Sequence, residues 1–312
     1  ESASLVAQGG VLTVNDQLQL AGGLDNQTAT VSGSDVQPLA LSDGATIERR
    51  KPSSPAFALT GAGALTEVPT FGESLNLVYT TPDGVSATFT SGREVPSASA
   101  NTSITSVEVG VGDGSGNGEV DFQAVDTNNG IATGNVVVTS AFDLESGTVE
   151  HGVEGQSGSR RLEIADGGVF AQKDGTISDG SGSLDESQPI VASDYTLRYY
   201  PSGDISTSSK EFLAGGAVST LEFIDGPLDS PSGSLTLSAD REVGALTVNR
   251  SGSSSSFDLT SDGTLTVTGG SDLTAGTVSS GTLQAEGDVT VDGGNIGNSA
   301  TLAFAGSSDQ SL

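Results

Sequence analysis

Cysteine, tryptophan and methionine are absent from the 312 residues, and histidine occurs once, at His151. Without cysteine there are no disulfides and no thiolate metal sites. With one histidine, a Ser–His–Asp arrangement has a single choice, with Asp143 and Ser157 as its nearby partners in sequence. No strand–Gly-x-Ser-x-Gly–helix pattern surrounds any serine, so His151 reads as a solvated turn residue. Aromatics make up 4% of the chain and apolar residues 34%, too little for a compact globule with one thick core. Lysine is scarce as well: Lys51, Lys173 and Lys210 are the only three. Such a surface repels nucleic acid and anionic membranes, and neither is expected as a partner. No apolar run approaches the roughly 20 residues that a membrane-spanning helix needs. A helical period is missing too. LEIADGGVFAQK comes nearest, and its double glycine argues against a helix. No leader-like segment is visible and the chain opens on Glu1, so a mature form or an excerpt of something longer is expected.

What is present is polar and small. Glycine numbers 44, and serine and threonine run throughout. Acidic residues number 40 against 11 basic, a net charge of −29. At molar salt the Debye length falls to roughly 3 Å and such repulsion is screened. An acidic, lysine-poor, cysteine-free chain reads most simply as a protein of a brine-dwelling organism.

The chain repeats itself. LALSDGATIERR at Leu39–Arg50 is similar to LEIADGGVFAQK at Leu162–Lys173, an offset of 123. LNLVYTTPDG from Leu75 matches YTLRYYPSGD from Tyr195, which aligns Tyr79 with Tyr199. SITSVEV from Ser103 matches AVSTLEF from Ala217, an offset of 114. NVVVTSAFDLESGTV from Asn135 matches TLTVTGGSDLTAGTV from Thr264, an offset of 129. The ends, TATVSGSDVQPL from Thr28 and TLAFAGSSDQSL from Thr301, match each other. The expected organisation is the end of a preceding unit over 1–38, unit one over 39–161 and unit two over 162–312. The whole reads as a window from a longer tandem array, in one continuous elongated solenoid.

Inside each unit, short alternating strands are punctuated by Gly, Asp, Asn and Ser. From Leu235 the apolar doublets fall at Leu235/Leu237, Leu246/Val248, Phe257/Leu259, Leu265/Val267, Thr277/Val278, Leu283, Val289/Val291, Ile296 and Leu302/Phe304. Each is a strand with one face buried. Three such strands per coil give about 25 residues a turn, a fair rung for a parallel β-helix. The expected fold is therefore all-β, a parallel β-helix (β-solenoid) built from tandem units of about 120–150 residues. Tandem antiparallel β-sandwiches, which also use short strands and frequent turns, are the alternative.

The phrases FAGSSDQSL and SLTLSADREVGALTVNRSGSSSSFDLTSDGTLTVTGGSDLTAGTV carry a likeness to a known class. Phe304, Gly306, Gln310 and Leu312 fit a Phe-x-Gly-Ser…Gln-x-Leu step. Leu246, Thr247, Val248 and Asn249 fit an "xLTVNxx" strand. Gly263, Thr264, Leu265, Val267, Gly276 and Val278 fit "GTLTLxxGxL". In these features the chain resembles long secreted bacterial surface proteins built of β-rich repeats. The resemblance covers about 60% of the chain, and unit one departs from it between Glu94 and Val120. It implies an extracellular repeat architecture; such arrays serve as adhesins, stalks, sheaths and fibres.

Candidate chemistry is sparse. In GDGSGNGEVD, from Gly112, residues Asp113, Ser115, Asn117, Gly118 and Asp121 match positions 1, 3, 5, 6 and 9 of a calcium loop. Position 12 is Ala124 rather than glutamate, and the matching stretch DGPLDSPSGSL loses the ligand spacing. A turn is the plainer reading; a loop-type Ca2+ site would use Asp113, Asn117 and Asp121. Tyr79, Tyr195, Tyr199 and Tyr200 cluster in matching segments. Tyr79, Tyr199 and Tyr200 are candidate sugar contacts, or else cover apolar surface at a strand edge. Arg49, Arg50, Lys51, Arg160, Arg161 and Lys173 could join carboxylates in a polysaccharide-cleaving site. Ion pairing between neighbouring coils is the plainer alternative. Asn26, Asn101 and Asn249 head glycosylation sequons.

The sequence thus leads to a non-enzymatic extracellular structural or adhesive repeat protein: a segment of a cell-surface adhesin, stalk or filament. Expected partners are neighbouring copies or adjoining repeat units and surface polysaccharide. The alternative is a carbohydrate-active β-helix, a polysaccharide lyase, hydrolase or viral tail spike. No cofactor is expected beyond the candidate Ca2+.

Overall fold

The computed structural model describes residues 12–21, 39–51, 65, 69–82, 85–96, 101–112, 118–122, 136–151, 162–179, 190–191, 194–207, 212, 218–226, 233–252, 255–260 and 262–312. The chain falls into two compact units, Glu1–Glu163 with Gly175–Ser187, and Ile164–Asp174 with Gln188–Leu312.

Among the described residues of the first unit every helix-or-strand element is a strand. The unit holds β1 (Leu12–Val14), β2 (Gln17–Ala21), β3 (Leu39–Leu41), β4 (Ala45–Arg50), β5 (Ser74–Thr80), β6 (Thr88–Thr90), β7 (Ser103–Gly110), β8 (Glu119–Asp121), β9 (Val136–Ser146) and β10 (Thr148–His151). β11 (Leu162–Ile164) and β12 (Gly168–Gln172) follow, and β13 (Thr176–Asp179) returns to this unit. One parallel ladder runs β2–β4–β5–β7–β9. A second runs β6–β8–β10–β13. A third pairs β1 with β3. Parallel neighbours joined by a full circuit of chain are coils of a β-helix, as the short even strands predict.

Alternation decides what faces in. In the first ladder Ile47, Leu77, Val107 and Phe142 stack in one column, one from each coil, and all are buried. A second inward column holds Leu20, Arg49, Tyr79, Val109 and Leu144. The second ladder contributes Phe89, Val120 and Val149. Like stacks on like because each coil repeats the conformation beneath it, and the narrow interior fills with β-branched and aromatic side chains.

The second unit adds β14 (Ile190–Val191), β15 (Tyr195–Tyr199), β16 (Ile205–Ser206), β17 (Val218–Ile224), β18 (Leu235–Thr236), β19 (Arg241–Asn249) and β20 (Ser256–Asp258). It closes with β21 (Thr264–Val267), β22 (Ser271–Ala275), β23 (Thr277–Ala285), β24 (Val289–Val291) and β25 (Asn295–Phe304). Its ladders are β12–β15–β17–β19–β22–β24, β16–β18–β20–β23–β25 and β19–β21–β23–β25, all parallel. Long strands such as β19 and β23 turn a corner and serve two ladders. Most of the doublets expected to face inward do so: Leu235, Leu246, Val248, Phe257, Leu265, Val267, Val278 and Leu283 are at most 1% exposed and Val289 is 2%, but Thr277, Ile296 and Leu302 are half-buried and Val291 and Phe304 are exposed, at 43% and 47%.

The antiparallel sandwich is not what these residues form: among the described residues every pairing with a defined register is parallel. The rung length departs from the expected constant value. In the first unit Ala45 lies opposite Leu75, 30 residues on, and Ile104 opposite Val138, 34 on. In the second unit the step is 25 from Val218 to Val243 and only 18 from Thr277 to Asn295. Strand periodicity fixes the faces of a coil but not the lengths of its corners, and the corners vary.

Tight corners demand glycine. Gly118 has φ +109°, and a Cβ there would collide with the Val111 carbonyl. The tail after β25 is tied back by Gln310. Its side-chain amide donates to the Ala285 carbonyl (2.8 Å) and the Gly287 carbonyl (3.1 Å), and its oxygen accepts from Gly306 N–H (3.2 Å). Ser311 N–H donates to Asp288 Oδ1 (2.8 Å), and this holds the Asp288 carboxyl below its ordinary pKa. Gly306 and Gln310 of the surface-protein phrase therefore form one corner, clearance and clip, while Phe304 ends β25 exposed, at 47%.

Candidate functional site

The densest chemistry in the first unit lies inside the coil. β4 reads Ala-Thr-Ile-Glu-Arg-Arg, and its inward parity falls on Ala45, Ile47 and Arg49. The guanidinium of Arg49 is therefore carried into the core, where Arg49 is 3% exposed. The turn after β6 delivers its partner. Glu94, fully buried, accepts from Arg49 Nη1 at 2.6 Å, and the same nitrogen donates to the Thr90 carbonyl at 2.6 Å. Tyr79, directly opposite Arg49 in the next coil, donates its hydroxyl to Glu94 Oε1 at 3.1 Å. The cation lies 5.7 Å from the Tyr79 ring centre and 5.4 Å from that of Phe89. Phe89 and Phe122 meet Tyr79 edge-on.

Burial works against the Arg49 charge, but Glu94 and then Tyr79 outweigh it, and the guanidinium is held charged more firmly than usual. Glu94 Oε2 has no hydrogen-bond partner among the described residues and faces Gly92, whose missing side chain leaves it room. A dry, paired, aromatic-lined cluster like this has no path for substrate. It ties β4 and β5 to the turn after β6.

The second unit solves the same position differently. In the matched segments Arg49 aligns with Gln172, and each precedes a tyrosine in its inward column: Arg49 opposite Tyr79, Gln172 opposite Tyr199. Lys173, expected near the place of Arg49, sits one residue on, at a half-buried position of opposite parity. A second buried cation, Arg250, donates from Nη1 to the Ile224 carbonyl (2.8 Å) and from Nη2 to the Pro201 carbonyl, with its guanidinium 5.0 Å from the Phe223 ring. Arg198 and Glu222, opposite one another in neighbouring coils, form an outward ion pair at 2.6 Å.

The candidate sugar contacts are in the core. Tyr79 is 1% exposed, Tyr199 0% and Tyr200 5%, so none offers a ring face to a saccharide. The physical reason is parity: Tyr79 and Tyr199 stand on the inward face of β5 and β15. Of the calcium candidates, Asp113 and Asn117 lie outside the described residues. Asp121 ends β8, half-buried, and its carbonyl accepts the Ser91 N–H at 2.8 Å. Among the described residues no group of three or more His, Asp or Glu side chains is placed to hold a metal ion. Ser157, Arg160 and Arg161 are outside the described residues, as is the side chain of His151.

The outer face of the first ladder is acidic. Glu48, Val78, Glu108 and Asp143 form one outward column. Partial burial, then Glu145, Asp143 and Glu48, push the Glu108 carboxyl above its ordinary pKa. Gln17 and Gln19 both donate to Glu48 Oε2, at 2.7 and 2.8 Å. Among the described residues no helix is long and apolar enough to cross a membrane.

Glu94 was not legible as the partner of Arg49, because it comes from a turn 45 residues on. Arg250 carried a signal: it directly follows the Leu246–Asn249 strand motif at a corner. Compared with known proteins, the chain matches no family model, no curated protein and no solved structure.

Proposed function

We propose that this chain is a structural, non-enzymatic repeat segment of an extracellular adhesin, stalk or filament, carried on the surface of a halophilic microbe. The observation that carries the reading is the in-register stacking of whole coils. Inward columns such as Ile47–Leu77–Val107–Phe142 are continuous, and buried cations serve the coil itself rather than a cleft. A material made of backbone ladders with each coil bonded to its neighbours resists shear along every rung. The acidic exterior keeps it hydrated and separate in strong salt. Neighbouring repeat units, further copies and surface polysaccharide are the partners that such a surface protein meets.

Two experiments test this. Antibody raised against the chain is applied to intact and to permeabilised producing cells, and the coding segment is deleted and attachment to surfaces and to other cells is scored. Labelling of intact cells with loss of attachment on deletion is expected. Label confined to permeabilised cells, or unchanged attachment, would count against the proposal. Incubation with a polysaccharide panel is expected to release no oligosaccharide; turnover would favour the carbohydrate-active alternative.

A further inference from the structure

The second unit repeats one side-chain contact at its corners. Ser202 N–H donates to Asp174 Oδ1 (2.9 Å), Ser234 N–H to Asp204 Oδ1 (2.9 Å), Thr264 N–H to Asp240 Oδ1 (2.8 Å) and Ser311 N–H to Asp288 Oδ1 (2.8 Å). Ser251 N–H lies 3.2 Å from both carboxylate oxygens of Asp225, and its hydroxyl donates to Oδ2 at 2.6 Å. We propose that these aspartates are coil-to-coil straps, each carboxylate closing the corner of the coil that follows it.

The positions are equivalent from coil to coil. Asp204 and Ser234 directly precede β16 and β18, which pair with one another. Asp240 precedes Arg241 as Thr264 precedes Leu265, the residue opposite Arg241. Asp225 and Ser251 follow β17 and β19, where Ile224 lies opposite Asn249. The partners are 23 to 30 residues apart, one coil in each case. The direction is constant too. In all five the carboxylate belongs to the earlier coil and the N–H to the later one.

These N–H groups stand where a ladder gives way to a corner, so a backbone donor there needs an acceptor from outside the strand. At two corners the bonds close a ring. Ile205 N–H donates to the Ser234 carbonyl (2.8 Å) while Ser234 N–H returns to Asp204, and Val289 N–H donates to the Ser311 carbonyl (2.9 Å) while Ser311 N–H returns to Asp288. A carboxylate thus does for a coil corner what it does at the start of a helix: it accepts a backbone N–H in a charge-assisted bond. At Asp288 the Ser311 N–H is also the largest cause of the lowered pKa. Exposure alone would class Asp204, Asp240 and Asp288 as hydrating charge, since all three are exposed. Asp272 is equally exposed, but it stands within β22 on the outward face rather than at a corner. The acidic surplus of the chain therefore divides by position: acids on outward strand faces repel one another, and acids at corners tie coils together.

The test is amide hydrogen exchange of the full chain, followed by NMR in molar sodium chloride, where longer-range charge effects are screened. The Ser234, Thr264 and Ser311 amides are expected to exchange more slowly than in an unstructured peptide, by about tenfold or more. Asp204→Ala, Asp240→Ala and Asp288→Ala are each expected to speed exchange at their own partner by about the same factor and to leave the other two corners unchanged. Asp272→Ala is expected to change none of the three. Should one of the strap variants fail to fold, the other two carry the test. Free-peptide exchange at these amides in the unaltered chain, a loss spread evenly over the three corners, or the same loss in Asp272→Ala overturns the straps.

Discussion

At the scale of single residues, the buried charge is the costly element. Arg49 and Glu94 are both out of water, and the pair is balanced only because each is present with its hydrogen bonds. Removing one partner leaves the other charge uncompensated. Glu94→Ala is expected to lower unfolding stability by about 3–5 kcal/mol, read from urea denaturation. Replacing both residues, with Arg49→Met and Glu94→Leu together, is expected to recover most of that loss. If the double variant is as unstable as the single one, the pair is doing more than neutralising itself. Tyr79 adds a lesson about parity. Its match with Tyr199 was visible in the sequence, but whether the ring faced out or in depended on counting from Ile47 and Leu77. That count places it inside.

At the scale of the strand, each inward column is a test of the coil. Leu246 is fully enclosed between Leu221 and Ser271 of the adjoining coils, whereas its neighbour Thr247 faces outward. Leu246→Ala is expected to cost about 2–5 kcal/mol, and Thr247→Ala under about 1 kcal/mol, by thermal and chemical denaturation. Equal effects would mean that the two faces are not distinguished as described. The strands themselves were readable, because alternation such as Leu246-Thr-Val248 or Phe257-Asp-Leu259 leaves one face apolar. That they run parallel followed from their evenness and shortness. What the pattern could not provide was the partner across a corner. Glu94 reaches Arg49 from a turn with no period of its own, and the step from Ile104 to Val138 differs from that between Thr277 and Asn295 because corner length leaves no alternation to count. Lys51 gave a fainter signal: a rare lysine immediately after a strand, whose ammonium donates to the Ser86 carbonyl 35 residues on, at 2.8 Å.

At the scale of the whole molecule, electrostatics sets the conditions for folding. With a net charge of −29, self-repulsion acts over about 8 Å at physiological ionic strength and about 3 Å at molar salt. The melting temperature is expected to rise steadily from low to molar sodium chloride; a flat profile would remove the case for adaptation to brine. Glu108 contributes to this in a defined direction. Its folded pKa is raised, so its contribution favours the folded state at pH below the ordinary carboxylate value and is lost as pH rises through the raised one. Glu108→Gln is therefore expected to raise the melting temperature at pH 7 and low salt, and to have little effect near pH 4. Asp288 acts in the opposite sense: its lowered pKa gives stability above the ordinary carboxylate value that is lost as pH falls.

The 18-residue step between Thr277 and Asn295, repeated between Ser271 and Val289, gives the second unit a unit of inheritance. A tandem duplication of one whole rung, 18 residues at Thr277 and 19 beyond the bulge from Ser280 to Ser299, returns the side chains to their own faces. A duplication of half that length sends strands to the wrong ladder. Unequal recombination within the gene would then be filtered by arithmetic, and natural variants of such a chain would differ in size by whole rungs.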